Sequence, residues 1–220
     1  MSPSETILVF GATGQTGRHF IQHPLRDGHR VRVLARTPAK LGDARARVEA
    51  VEGSITDDLD LDSLLEGVDA VVCLLGDARA QQDRKVNTEF VQRLVPAMRR
   101  QGATRLLYQA GALSAPPDRA LPVGLRAVRS TIARSYLGQH RDNEAVMRYL
   151  TDEADDLAWV VHRAGIGSDG PSKGALERSS RSPSIATFGD CAAYGYGLLS
   201  DPAAVHTCDV SSYARGGSAA

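Results

Sequence analysis

The sequence predicts an α/β fold: a doubly wound, Rossmann-like parallel sheet in a single domain with a small C-terminal elaboration on the substrate side. Three observations carry this. Apolar strand-like runs and helical patterns alternate five times along the first half of the chain. The first run, Thr6 to Phe10, passes directly into the glycine turn Gly11-Ala12-Thr13-Gly14-Gln15-Thr16-Gly17. The run from Ala70 to Leu75 is apolar throughout, as expected of a strand buried on both faces. Repeated alternation of this kind builds a parallel sheet with right-handed crossovers.

The glycine turn organises the rest. Glycine allows a tight turn, lets a pyrophosphate approach bare backbone, and lets the following helix pack against the strand. A helix starting near Gln15, with Phe20, Ile21 and Leu25 inward, would aim unpaired N–H groups at phosphate. Gly11, Thr13, Gly14, Gln15, Thr16 and Gly17 are therefore expected cofactor contacts. A glycine triplet also occurs as a plain structural turn in other α/β proteins. The second strand, Arg30 to Ala35, arriving after Asp27-Gly28, favours the nucleotide reading.

Beyond that strand stand Arg36 and Thr37, where an acid would hold the ribose hydroxyl of NAD and an arginine the 2′-phosphate of NADP. A guanidinium pairs bidentately with phosphate, so the expected cofactor is NADP(H), the alternative being a solvated surface arginine. A third strand over 48–53 leads to Ser54 and Ile55, expected beside the adenine. A short helix carries Leu61, Leu64 and Leu65. The fourth strand, 69–76, ends at Leu75 and Gly76, where a cofactor can approach. A helix over 85–100 closes at Gln101-Gly102, and the fifth strand, 105–110, ends at Ala110 and Gly111, both expected at the cofactor.

Prolines and glycines then predict a substrate-side segment over 111–135. A helix over 132–150 carries Tyr136, His140 and Glu144. A sixth strand over 157–163 ends at Arg163, a further expected cofactor contact. Residues 164–174 hold four glycines and a proline and predict a loop within a substrate-side rim reaching residue 190. A short strand at 184–187, a helix about 190–199 and a strand about 205–209 complete a domain over 1–213. Residues 214–220 are expected to be a flexible tail.

Composition narrows the partners. In 220 residues, 26 basic side chains balance 26 acidic ones and are spread along the chain, which predicts a small-molecule substrate, no nucleic acid and no membrane. Three cysteines without metal-ligand spacing, and no His-Glu-x-x-His pattern, predict no metal site and no disulfide framework. Without a signal-like N-terminus or a membrane-length apolar run, the expected location is the cytoplasm. Monomer and homodimer both remain open.

Gly-Ala-Thr-Gly-Gln-Thr-Gly at 11–17, Arg36-Thr37-Pro38, the helix containing Asn87, and Leu157 to Gly165 together resemble the atypical short-chain dehydrogenase/reductases, specifically their NmrA-like and biliverdin reductase B-like members. The resemblance covers nearly the whole chain. It implies a Rossmann-like NADP-binding domain but no single reaction, because its members include reductases, isomerases and redox sensors without turnover. Ala164 departs from the proline usual there.

The short-chain dehydrogenase mechanism uses a tyrosine to pass a proton and a lysine one helical turn later to lower its pKa. Lysine occurs only at 40, 85 and 173, so that pair is missing. The nearest approximation is Tyr136 with His140, at helical i,i+4 spacing, with His140 at the proton transfer or at the nicotinamide ribose. The alternative is a packing tyrosine and a surface histidine. Ser114 is the remaining catalytic candidate, displaced from where the family carries its serines, with Tyr108 and Gln109 as further polar groups. These residues predict an NADP(H)-dependent oxidoreductase acting on a small aromatic or polyketide-like molecule. An isomerase or dehydratase on the same scaffold, and a non-catalytic NADP(H)-sensing protein, are the alternatives.

Overall fold

In the computed structural model, which describes residues 4–131, 133–179 and 182–214, the first half runs β1 (Thr6–Phe10), α1 (Gly17–Phe20), α2 (Gln22–Arg26), β2 (Arg30–Ala35), β3 (Glu49–Glu52), α3 (Leu61–Leu65), β4 (Ala70–Cys73), α4 (Val86–Gln101) and β5 (Arg105–Gly111). The second half adds α5 (Val123–Ser130), α6 (Leu137–Glu153), β6 (Ala158–Ala164), β7 (Ile166–Ser168), β8 (Leu176–Ser179), β9 (Ala186–Thr187), α7 (Phe188–Leu198) and β10 (Cys208–Tyr213). Eight strands form one sheet in the order β3-β2-β1-β4-β5-β6-β10-β8. All pair in parallel except β8, which runs antiparallel to β10 at the edge.

Alternate strand residues feed two cores, as the pleat requires. Leu8, Phe10, Val71, Leu106 and Tyr108 pack with α3, α4 and α6, where Phe10 meets Phe90 edge-on at 4.8 Å. Ile7, Val9, Val72 and Leu107 pack on the other face with Phe20 of α1 and Ala192 and Leu198 of α7. The sheet is thus wound on both faces. The strand order reverses at β1, whose neighbours are β2 and β4. That reversal opens a crevice beyond the strand ends, the usual ligand position in such sheets.

Several elements differ from the sequence expectation. The first helix is split at Ile21 into α1 and α2, because Pro24 has no N–H to continue the ladder to Phe20. A 3₁₀ segment, Pro38–Arg47, follows β2. β4 ends at Cys73, short of 76, where the chain passes the glycine turn: a Cβ on Gly11, whose φ is +83°, would lie 2.3 Å from the Leu74 carbonyl oxygen. The segment around Pro122 and Gly124 is helical, not a loop, since a proline is compatible with the start of a helix. α6 begins at Leu137 after a 3₁₀ turn, Arg134–Tyr136, and Ile132 lies outside the described residues.

The glycine-rich stretch after β6 contains β7, which pairs in parallel with β9 in a separate two-stranded sheet. Gly165 permits the close approach, as a Cβ there would meet the Ser184 carbonyl oxygen at 2.4 Å. β8 was not expected at all, and β10 starts and ends later than the strand predicted at 205–209. Of the tail expected at 214–220, residues 215–220 lie outside the described residues.

One buried carboxylate fixes how α6 meets α4. Asp142, fully buried on α6, accepts hydrogen bonds from the main-chain N–H groups of Asn87 and Thr88, both at 2.9 Å, and from Thr88 Oγ1 at 2.7 Å. It thereby caps α4, whose own N-cap residue, Lys85, makes no side-chain capping bond. Its Oδ2 also accepts from Gln81 Nε2 at 2.7 Å, which ties down the turn after β4. Asp142→Ala leaves these donors buried and unpaired, and urea denaturation is expected to show a loss of roughly 2–4 kcal/mol.

Candidate functional site

Two cavities meet at the crevice and share Gly14, Leu74, Leu75 and Gly76. The first, about 290 Å³, is lined by Gly11, Thr13, Gly14, Arg36, Ser54 and Ile55 among others. The glycine turn closes on itself through Gly14 N–H donating to the Gly11 carbonyl at 2.9 Å. A Cβ on Gly14 would lie 3.1 Å from that oxygen, so the turn presents bare backbone to the cavity. Arg36 is the one cation among the described lining residues, and its Nη1 lies 3.9 Å from Asp77 Oδ2 across the same cavity. The donor set and the bare backbone fit a pyrophosphate with an adenosine end.

The second cavity, about 670 Å³, is lined by Gln15, Thr16, Ala110, Gly111 and His140, with an apolar wall that includes Leu113, Leu125, Val128, Ile185 and Phe188. None of its described lining residues is acidic or carries a permanent positive charge. Gln109 Nε2 donates to Thr16 Oγ1 at 3.3 Å, linking the end of β5 to the glycine turn. Ile185 is 70% exposed and Val128 38%, so apolar side chains stand at the mouth.

The structure therefore brings most of the expected cofactor residues to one groove and leaves three apart from its lining. Gly17 packs against the turn, where a Cβ would meet the Gly11 oxygen at 2.0 Å. Thr37 precedes the 3₁₀ segment. Arg163 is 4% exposed, and its guanidinium donates to the carbonyls of Ser114 at 2.8 Å, Ala112 at 3.1 Å and Cys208 at 3.4 Å. It holds the segment after β5 onto β6 and β10 and has no free face for a ligand.

The catalytic candidates separate as well. Tyr136 is 49% exposed, in the 3₁₀ turn before α6, whereas His140 is 7% exposed. Tyr136 is the N-cap residue of α6, which starts at Leu137, and it is not among the described residues that line the second cavity, whereas His140 is. Ser114 is fully buried behind His140, its Oγ 3.3 Å from His140 Nδ1. Burial, with Arg129 nearby, lowers the His140 pKa to about 4 against the opposing pull of Glu144, so the imidazole is neutral at pH 7. Arg129 is paired to both oxygens of Glu144.

Gln139 and Asn143 also line the second cavity and were not singled out from the sequence. Asn143 stands one helical turn from His140, a spacing that placed both on one face. Nothing local marked Gln81 or Asp142, whose roles depend on a contact between distant elements. Among the described residues no cluster of His, Cys, Asp and Glu has the arrangement of a metal site, and no helix is long and apolar enough to cross a membrane.

A parallel sheet with a glycine turn at its reversal point and a groove across its strand ends defines a dinucleotide-binding, Rossmann-like protein. The family described as NAD(P)H-binding matches residues 11–188, and the chain belongs to that family. Over 80 residues it is 42% identical to a (4-alkanoyl-5-oxo-2,5-dihydrofuran-3-yl)methyl phosphate reductase of Streptomyces griseus, covering 36% of this chain and 28% of that protein. Over 96 residues it is 33% identical to the isoflavone reductase homolog IRL of Zea mays, covering 39% and 31% respectively. The chain thus aligns with less than a third of the length of either relative. Among solved structures, the oxidoreductase ylbE of Lactococcus lactis superposes with a TM-score of 0.74 at 17% identity, covering 96% of this chain and 91% of that one. The anaerobilin reductase ChuY of Escherichia coli O157:H7 superposes at 0.73 with 15% identity, covering 94% and 96%. These two structures share the fold.

Two buried histidines, His140 in the second cavity and His162 in the sheet, give the fold a pH signature. His162, buried on β6, has its pKa lowered to about 3 by desolvation, and His140 titrates near 4. In the unfolded chain both protonate near pH 6.5, so below that pH the unfolded state binds more protons than the native one. Stability is expected to fall as pH drops from about 6.5 towards 4. The double variant His140→Gln/His162→Gln should show a flatter dependence of Tm on pH over that window.

Proposed function

We propose that the protein is an NADP(H)-dependent oxidoreductase acting on a small, uncharged, largely apolar organic molecule of aromatic or polyketide-like character. The observation that carries this reading is the junction of the two cavities at Gly14 and Gly76, one bearing bare backbone and Arg36, the other an apolar wall with a neutral histidine. The reductase names of both curated relatives support the oxidoreductase part of this reading, as does the resemblance to NmrA-like and biliverdin reductase B-like proteins, while the uncharged substrate rests on the lining of the second cavity alone.

In this reading the glycine turn holds the pyrophosphate, Ser54 and Ile55 border the adenine, and Arg36 pairs with the 2′-phosphate. A bound nicotinamide supplies the hydride. The chain's own contribution is to orient the two partners, exclude water with Leu125, Val128, Ile185 and Phe188, and offer His140 to a polar atom of the substrate. The missing tyrosine and lysine pair leaves orientation as the larger share of catalysis.

Arg36→Ala tests the cofactor assignment. A charge-assisted contact is worth about 1.5–3 kcal/mol, so NADPH affinity is expected to fall roughly ten- to a hundredfold while NADH affinity stays nearly constant. Fluorescence titration of both cofactors measures this, and equal losses would mean that Arg36 does not read the 2′-phosphate. For the reaction itself, NADPH oxidation is followed against a panel of quinones, enones, flavins and aldehydes. Turnover is expected with neutral apolar acceptors, and tight NADPH binding without oxidation by any acceptor would sink the reductase reading.

A further inference from the structure

A chain of buried polar groups leads from the core to the second cavity, and its direction is fixed at one end by the main chain. The Leu75 carbonyl can only accept, so the Asn87 amide turns its nitrogen there, at 3.4 Å, and the same nitrogen donates to Tyr108 Oη at 2.9 Å. The single Tyr108 hydroxyl proton then goes to Asn143 Oδ1 at 2.7 Å. This orients the Asn143 amide with its nitrogen towards Ser114 Oγ, at 3.4 Å. Ser114 Oγ accepts that bond, and among its described partners only His140 Nδ1, at 3.3 Å, can accept the serine proton, so the hydroxyl donates there.

A neutral imidazole has one N–H. With Nδ1 accepting, the proton resides on Nε2, which is buried and has no hydrogen-bond partner among the described residues. An orphaned buried donor is costly, and such atoms call for an explanation. His140 lines the second cavity, where a ligand can supply the missing partner. The charged groups near the ring are Arg129 from α5 and Glu144 from α6, paired with each other, and the ring remains neutral beside them.

We propose that His140 presents Nε2–H to a substrate oxygen as a neutral hydrogen-bond donor, and that Asn87, Tyr108, Asn143 and Ser114 are positioning residues that fix this tautomer by a one-way relay. The inference rests on the oxidoreductase reading for the identity of the ligand, a carbonyl oxygen, but the tautomer is a property of the protein alone. His140 is then a polarising group that keeps its proton, and the proton delivered to product comes from water.

Long-range ¹H–¹⁵N correlation spectra of the cofactor-free protein at pH 7.5 read the tautomer, with His140 assigned by its loss in His140→Gln. The wild type is expected to carry the proton on Nε2. In Asn143→Asp a carboxylate accepts from both Tyr108 and Ser114, so the serine proton turns away, its oxygen accepts from Nδ1–H, and the tautomer is expected to flip. Ser114→Ala removes the last link and is expected to give a mixture, which decides the matter if Asn143→Asp fails to fold. Nδ1–H in the wild type, or unchanged Nε2–H in either folded variant, would overturn the relay. With a turned-over acceptor, Asn143→Asp should lower kcat by roughly 10²-fold with KM for NADPH unchanged, since losing an oriented donor costs about that much. Unchanged kcat would overturn the donor role. Because the spectra need neither cofactor nor acceptor, failure of the oxidoreductase reading shows separately, as absent NADPH oxidation.

Discussion

The Asp142 carboxylate is the interaction on which the site's geometry depends. A charged group in a dry interior is tolerable only when several donors surround it, and here two main-chain N–H groups, a hydroxyl and an amide do so. Those donors belong to α4 and to the turn after β4, so α6 cannot slide against α4 without stripping the charge of its partners. His140, Asn143 and Glu144 follow from the same register: with Asp142 fixed, the residues on either side take fixed places against β5 and α5. The apolar contacts of Val146, Met147 and Leu150 hold α6 to the sheet, but they are non-directional and would permit rotations that the carboxylate forbids.

A second constraint acts at the reversal of the strand order. β1 and β4 pair up to Phe10 and Cys73, and just beyond, the backbone of Gly11 and the carbonyl of Leu74 come so close that a Cβ would not fit between them. The groove lies at this reversal point, and its two halves receive different chemistry from the strands on each side. β2 and β3 lead to Arg36 and to Ser54 and Ile55, whereas β5 and α6 deliver Gln109 and His140. Arg163 shows how firmly one of these walls is held, because a guanidinium buried against three carbonyls acts as a bracket between β5, β6 and β10.

The frame of the fold was legible because local patterns determine it. Apolar runs mark β1, β4 and β6, helical spacing marks α4, and the glycines at 11, 14 and 17 mark the turn. What escaped has physical reasons. Pro24 interrupts a helix whose apolar spacing is otherwise continuous, and spacing carries no record of a missing N–H. Glycines at 165 and 167 read as a loop, while their use is to let two short strands come close. β8 is partly exposed, so it lacks the apolar signal of a central strand. At the site, Arg36 and the glycine turn were legible as motifs. The exposure of Tyr136 was not legible because spacing does not show a 3₁₀ turn ahead of a helix, nor the burial of Arg163 because a sequence does not show whether a cation meets solvent or carbonyl oxygens. The partners of His140 come from β5 and from the segment after it, so no local pattern could present them.

The small sheet of β7 and β9 rests on its own apolar cluster of Ala164, Ala186 and Cys191, joined by Leu176 and Tyr213. That cluster is distinct from the two that hold the main sheet. The lip carrying Ile185 and Phe188 can change shape and polarity across generations while the dinucleotide-binding frame is inherited intact. Innovation in what the groove accepts and preservation of what it uses to react fall to different apolar clusters of one chain.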